Sequence, residues 1–251
     1  MCAAFTKKRQ VNNYRYPGEE LELFESAGNW KRYLAKKLGP YISGRVLEVG
    51  AGTGETTQFL PQGKALSWTC LEPDPVLLQV IERKIGEGHL PEHCLAVSGT
   101  LNGLPASSLF DTILYIDVLE HIEDDHKELA LALSHLNEGG HLIVLSPAYQ
   151  FLYSPFDKAI GHFRRYRKKT LRRAAKLPGL EERKMYYLES LGVGLLLLNR
   201  FIFRKTYPAR KDIALWQRFL VPLSKVVDKI LFYSVGKSII GIWQHRRKQQ
   251  S

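Results

Sequence analysis

The residues with the clearest chemical meaning are three glycines and the carboxylates near them. In Arg45 to Gly54, RVLEVGAGTG, the apolar run Val46, Leu47 and Val49 stops at Gly50, Gly52 and Gly54, with Ala51 inside the turn. Such a run reads as a buried strand, and closely spaced glycines suit a tight strand-to-helix turn. Glycine lets backbone amides approach a ligand without a Cβ in the way, and the next helix aims its N-terminus at that ligand. A nucleotide-type cofactor is expected here. A dinucleotide loop wants G-x-G-x-x-G, but this spacing is G-x-G-x-G, with Glu55 where the last glycine of that pattern would fall. Glu48, inside the strand, is costly beside a pyrophosphate and suits a cofactor with a cationic amino group.

Further polar groups recur at the ends of later apolar runs. A second strand, Leu66 to Leu71, ends in Glu72-Pro73-Asp74. An acid there is placed to accept hydrogen bonds from both ribose hydroxyls of an adenosine, while Pro73 and Asp74 begin a helix. A third strand, Cys94 to Val97, leads to Thr100-Leu101. A fourth, Phe110 to Ile116, runs into Asp117-Val118-Leu119-Glu120-His121-Ile122 and places Asp117 and His121 at the edge where open α/β sheets bind ligands.

The E-x-G-x-G-x-G loop and the F-D-x-I…D-x-L-E-H-I segment together resemble class I S-adenosylmethionine-dependent methyltransferases of the small-molecule and quinone type. The resemblance implies S-adenosyl-L-methionine as cofactor and S-adenosyl-L-homocysteine as product. The cofactor set is then Glu48, Gly50, Ala51, Gly52, Gly54, Glu72, Pro73, Thr100, Leu101 and Asp117. Thr100 stands where the family usually has an acid for the adenine amino group. Beyond Ala148 the resemblance narrows to a bacterial subgroup with Leu152-Tyr153, Asp157 and the G-H-x-R-R-Y run Gly161-His162 to Arg164-Arg165-Tyr166. That loop follows the fifth strand, over the expected methyl donor.

Methyl transfer from a sulfonium needs alignment and desolvation of the nucleophile, and an oxygen or acidic nitrogen acceptor also benefits from a base. Histidine suits that task. The catalytic candidates are His162 and His121, with Asp157, Arg165 and Tyr166 around them; for His121 a structural role is the stronger expectation. Asp117, Glu120 and His121 could converge on one ion across a helical turn. Without further carboxylates in register, no metal is expected.

Positioning these groups takes an α/β, Rossmann-like, doubly wound fold. Five strand-helix alternations argue for a mostly parallel seven-stranded sheet with an antiparallel last strand. The expected helices cover 19–38, a short stretch from Thr56, 75–85, 124–136 and 170–175. The fifth strand is His141 to Ser146, the sixth Leu180 to Leu188 and the last Ser238 to Trp243. We divide the chain into an N-terminal arm and cover helix (1–40), a cofactor-binding core (41–189), a helical C-terminal insert (190–235) and a last strand with basic tail (236–251). Tyr14, Tyr16, Asn29 and Trp30 are candidates to line the pocket, although for Trp30 and Tyr33 simple packing on the sheet is preferred. The insert carries a stripe of Leu223, Val226, Val227, Ile230 and Leu231, and with Gly192 to Phe203 reads as an apolar, basic cap. It is either a lid packed on its own domain or a surface for a bilayer or lipid-like substrate.

Charge divides sharply along the 251 residues. Positions 1–150 hold 13 Lys and Arg against 19 Asp and Glu, and positions 151–251 hold 23 against 6. The basic third points to an anionic substrate, a membrane surface or nucleic acid, or is simply a solvated basic face. No N/D-P-P-Y/F motif or RNA-binding module supports nucleic acid, and G-x-G-x-G counts against NAD; an RNA methyltransferase and an NAD-binding protein stay as alternatives. The expected partner is a small-molecule or lipid-like acceptor, with peripheral membrane contact through the basic third. Cys2, Cys70 and Cys94 lack metal-ligand spacing, no signal-like segment opens the chain, and the longest apolar run, Leu191 to Leu198, is short for a span. A cytoplasmic setting is expected.

Overall fold

The apolar run before the glycine loop forms strand β1 (Gly44–Val49), and its central position explains why both of its faces are buried. The computed structural model describes residues 14–18, 20–61, 63–198 and 209–247. β1 pairs in parallel with β2 (Ala65–Glu72) and β4 (Phe110–Ile116). β3 (Cys94–Ser98) lies outside β2, and β5 (Leu136–Pro147) lies beside β4. β6 (Leu180–Leu188) and β7 (Ser238–His245) complete the sheet in the order β3-β2-β1-β4-β5-β7-β6, with β7 antiparallel to both neighbours. This is the expected Rossmann-like sheet with its antiparallel last strand.

Alternation along β1 sends Val46 to one core layer and Leu47 and Val49 to the other. The first layer packs against α2 (Gly28–Leu38) through Tyr33, Leu34 and Leu38 and against α3 (Pro75–Gly86) through Ile81. The second layer packs against α4 (Asp125–Ser134) through Leu129 and Ala132 and against α6 (Lys168–Ala174) through Leu171 and Ala174. Cys70 and Cys94 are free and buried in the strands, as their apolar neighbours required.

Several boundaries differ from the sequence reading. The expected helix over 19–38 is two, α1 (Glu20–Glu25) and α2, broken where the chain turns at Ser26 and Ala27. The stretch after Thr56 makes a single 3-10 turn, Thr57–Phe59. β5 begins at Leu136 instead of His141, so the pair Gly139-Gly140 lies inside the strand. The pair sits at a register shift opposite Phe110 to Thr112, and a Cβ at Gly140 would approach the Asp111 and Asn137 carbonyl oxygens to 2.9 Å.

The cap comprises α7 (Ser190–Leu198), α8 (Arg210–Leu215), a π turn at Trp216–Leu220 and α9 (Val221–Ile230), the last three forming one continuous helix. The apolar and basic run beyond Leu198 lies outside the described residues. α9 packs inward through Val221, Ser224 and Asp228, whereas Leu223, Val226 and Ile230 of the expected stripe are exposed. α9 thus packs on its own domain by a face other than that stripe. Buried Asp228 pins the helix, accepting hydrogen bonds from Tyr33 Oη (2.9 Å), the Glu189 amide (2.9 Å) and the Ser190 amide (2.8 Å). No helix among the described residues is long and apolar enough to cross a membrane.

Candidate active site

The glycine loop is tied to β2 by the amides of Gly50 and Ala51, which donate to Leu71 O at 2.8 and 3.2 Å. Gly50 has φ 64°, and a Cβ there would stand 2.8 Å from Val118 Cγ2. Glycine thus lets the turn after β4 close on the loop. At Gly52, φ 59°, a Cβ would meet nothing nearer than the Leu21 methyls at 3.8 Å, so the backbone is open beneath α1. The Gly52 amide donates to Glu72 Oε2 at 2.8 Å, and the Asp74 amide donates to Oε1 at 2.9 Å. Each carboxylate oxygen keeps a lone pair for a hydroxyl, as an adenosine ribose would require. Burial, opposed by these two bonds, raises the Glu72 carboxyl to about 7. The open glycine backbone and the doubly accepting acid fit S-adenosyl-L-methionine.

The N-terminal arm crosses this cleft. The Tyr16 amide donates to Asp74 Oδ2 at 2.8 Å, its ring meets His121 edge-on at 5.5 Å, and Pro17 lies against Gly161. Burial and then the charges of Glu72 and Asp74 raise the Tyr14 phenol. Tyr14 and Tyr16 thus sit where the sequence suggested. Asn29 does not, because its amide and side chain bond Gln217 of the cap. Trp30 and Tyr33 belong to the first core layer, as preferred, and also meet the cap, with Trp30 6.4 Å from Trp216 and Tyr33 Oη bonded to Asp228.

Two residues of the expected cofactor set have their side chains in the core. Glu48 is buried, and its Oε2 accepts from Thr57 Oγ1 (2.7 Å) and Trp68 Nε1 (2.9 Å). It braces the loop from the first core layer, and burial lifts its carboxyl to about 7 against those two bonds. The Leu101 side chain is fully buried in the second core layer, leaving Thr100 and Asp117 exposed at the strand ends. Pro73 is partly buried between Glu72 and Asp74. Asp117 has φ 53°, a left-handed backbone for a residue with a Cβ, which marks the β4 end as a strained turn beside the cleft.

The loop after β5 returns to the sheet at Ala148 and Tyr166, which form a parallel bridge. Between them α5 (Pro155–Ala159) starts with a capping box, in which Asp157 Oδ2 accepts from the Ser154 amide and hydroxyl at 2.8 Å each. Asp157 Oδ1 accepts from His162 Nδ1 at 2.9 Å and from Arg165 Nε at 2.8 Å, while Arg165 Nη2 reaches Oδ2 at 2.9 Å. Burial would push this carboxyl up, but the bonds from His162 and Arg165 and the Arg165 charge hold it well below the usual range. An ionised Asp157 can only accept, so Nδ1 of a neutral His162 carries the hydrogen and Nε2 carries the lone pair.

His162 Nε2 faces Glu120 and His121. It lies 3.8 Å from Glu120 Oε1, and the His121 and His162 rings meet edge-on at 4.5 Å. Glu120 is fully buried; Ser146 Oγ donates to its Oε2 at 2.9 Å, but Oε1 has no hydrogen-bond partner. Burial and then Asp117 raise the Glu120 carboxyl well above its usual range. Burial and then His162 lower His121 to about 4. One ligand atom from each of Glu120, His121 and His162 falls within a 4.8 Å set, so these three could hold a metal ion. The sequence reading weighed Asp117 with Glu120 and His121 and expected no metal; the fold instead brings His162 to Glu120 and His121. Tyr166 is buried and donates to Asp125 Oδ2 at 2.8 Å, which makes it a brace for the loop rather than a reacting group. Sequence reasoning missed Ser154, although S-x-x-D is a legible capping signal.

A family model described as a methyltransferase domain matches residues 21–184. No curated protein sequence matches the chain. Among solved structures, an S-adenosylmethionine-dependent methyltransferase from Clostridium acetobutylicum is similar at TM-score 0.56 and 13% identity, covering 88% of this chain and 93% of that one. A geranyl diphosphate methyltransferase in complex with SAM gives 0.60 and 12%, covering 86% and 85%. The [4+2]-cyclase SpnF gives 0.58 and 16%, covering 88% and 82%. At such identities these likenesses establish the fold alone.

Proposed function

The chain belongs to the methyltransferase-domain family, and from that premise we propose that it moves the methyl group of S-adenosyl-L-methionine to an oxygen or nitrogen of a small, lipid-like acceptor. The observation that carries the chemistry is His162, oriented by Asp157 and placed beside His121 at the carboxyl edge of the sheet. When bound, the cofactor supplies an electrophilic methyl and its own leaving group: the acceptor lone pair bonds to carbon as the C–S pair returns to sulfur, leaving S-adenosyl-L-homocysteine. The protein's part is positioning. Gly52 and Glu72 bind the cofactor's polar groups, and the Tyr14 to Gly18 arm shields the cleft. His162 Nε2 takes the proton from the acceptor, and Asp157 stabilises the imidazolium formed. Arg165 fixes Asp157 and thereby the ring, acting as a positioning residue.

The loop around His162 supports an acceptor that is apolar and anionic. Phe151 and Phe163 are 46% and 49% exposed, with Arg167 and Arg164 over their respective rings at 5.9 and 5.7 Å. The orphaned Glu120 Oε1 favours a second reading, in which Glu120, His121 and His162 hold a divalent cation that binds the acceptor oxygen.

The test offers methyl-labelled cofactor with a lipid extract, a water-soluble metabolite extract and RNA. Label in the lipid fraction is expected. His162→Ala should lower transfer by roughly a hundredfold to ten-thousandfold, while cofactor affinity measured by calorimetry is retained. Label in RNA alone refutes the acceptor class, and absence of cofactor binding refutes the whole reading.

A further inference from the structure

The continuous helix from Arg210 to Ile230 has its outward face made of large apolar side chains. Leu215, Phe219, Leu223, Val226 and Ile230 recur at four- and three-residue intervals, between 53% and 67% exposed, and Phe232 just beyond is 88% exposed. From Leu215 to Ile230 this ridge runs roughly 20 Å at the rise of a helix. Its inward face is already satisfied, by Trp216 donating to Glu189 Oε1 at 2.6 Å and by the buried Asp228 pin. The outward ridge is therefore not core awaiting a small rearrangement. Contiguous apolar surface of this kind marks an interaction site.

Charge identifies the partner. The same helix carries Arg210, Lys211, Arg218, Lys225 and Lys229, against Asp212 and the fully buried Asp228. A second copy laid on the ridge would bring two such cationic helices together, with only Asp212 on each helix as an acidic group outside the core. An anionic bilayer offers both an apolar interior for the ridge and negative headgroups for its flanks. The helix also packs directly on the cover of the cleft, through Asn29 to Gln217 and Phe24 to Trp216 at 5.9 Å. We infer that the Arg210 to Phe232 face is a peripheral docking surface for anionic phospholipid bilayers, which holds the mouth of the methyl-transfer cleft at the lipid interface.

Docking is independent of catalysis, so its failure leaves the proposed reaction intact. The test is co-sedimentation of the full chain with vesicles of phosphatidylcholine alone and of phosphatidylcholine with phosphatidylglycerol, at low and high salt. The expected result is binding to the anionic vesicles only, weakened by salt. Each of Arg218→Glu and Lys229→Glu should lower partitioning roughly fivefold or more. The double variant Phe219→Asp with Ile230→Asp should lower it roughly a hundredfold. These residues are exposed, and an unchanged circular dichroism melt verifies that the variants are folded. Three outcomes overturn the inference: no vesicle binding, binding insensitive to the apolar pair, or a dimer in light scattering that the apolar pair abolishes.

Discussion

Replacing Glu48 by glutamine should make the protein more stable at neutral and alkaline pH, despite its place in the cofactor motif. The carboxyl is fully buried, and burial, against the bonds from Thr57 and Trp68, raises it to about 7 from an ordinary value of about 4.5. A raised carboxyl keeps its proton longer when folded, so its contribution to stability is complete below about pH 4.5 and is lost as pH rises through 7. A gap of that size corresponds to about 3 kcal/mol. Glu72 has the same shift and should add a similar fall. Glutamine cannot ionise, and its carbonyl can still accept from Thr57 Oγ1 and Trp68 Nε1. Urea unfolding followed by circular dichroism from about pH 4.5 to about pH 8 should therefore show Glu48→Gln losing less stability than the parent. The variant should gain on the parent by about 3 kcal/mol across that range, less any fixed cost of the amide. Parallel pH profiles would refute the burial reasoning. A second readout separates brace from ligand: cofactor affinity should stay within about threefold, whereas loss of a direct pair with the cofactor's ammonium would cost tenfold or more.

Three other outcomes follow from the geometry. Glu72→Ala should weaken S-adenosyl-L-methionine binding by roughly tenfold to a hundredfold in calorimetry, and Gly52→Arg should abolish it by filling the open backbone under Leu21. Asp228→Ala strands the Tyr33 hydroxyl and two amides beneath the cap, so urea melts should show a loss of about 3 kcal/mol or more. If the Asp157 and His162 pair acts without a metal, dialysis against EDTA leaves methyl transfer unchanged; a loss restored by magnesium or manganese supports the cation held by Glu120, His121 and His162.

What the sequence by itself determined was whatever depends on local pattern. Phe110–Ile116 is an apolar run closed by polar residues, and Leu180–Leu188 starts after the Pro178-Gly179 turn and ends before Glu189, so their limits were readable to the residue. Three closely spaced glycines and an acid at the next strand's end marked the candidate cofactor cleft, because backbone approach and ribose recognition constrain residue type at close spacing. Where a side chain points was not readable in the same way. Glu48 and Leu101 lie in the expected motif, but the sheet turns both into the core, where Trp68 and Thr57 engage Glu48. The sequence grouped Asp117 with Glu120 and His121 by helical spacing; only the return of the loop at Ala148 and Tyr166 brings His162 to that pair from 41 positions away in the chain. The stripe on α9 was likewise legible as a stripe, yet its direction was set by Asp228. A buried carboxylate must find donors, and the donors here are Tyr33 and the amides after β6, so the polar face of that helix turns inward and its apolar ridge is left outside.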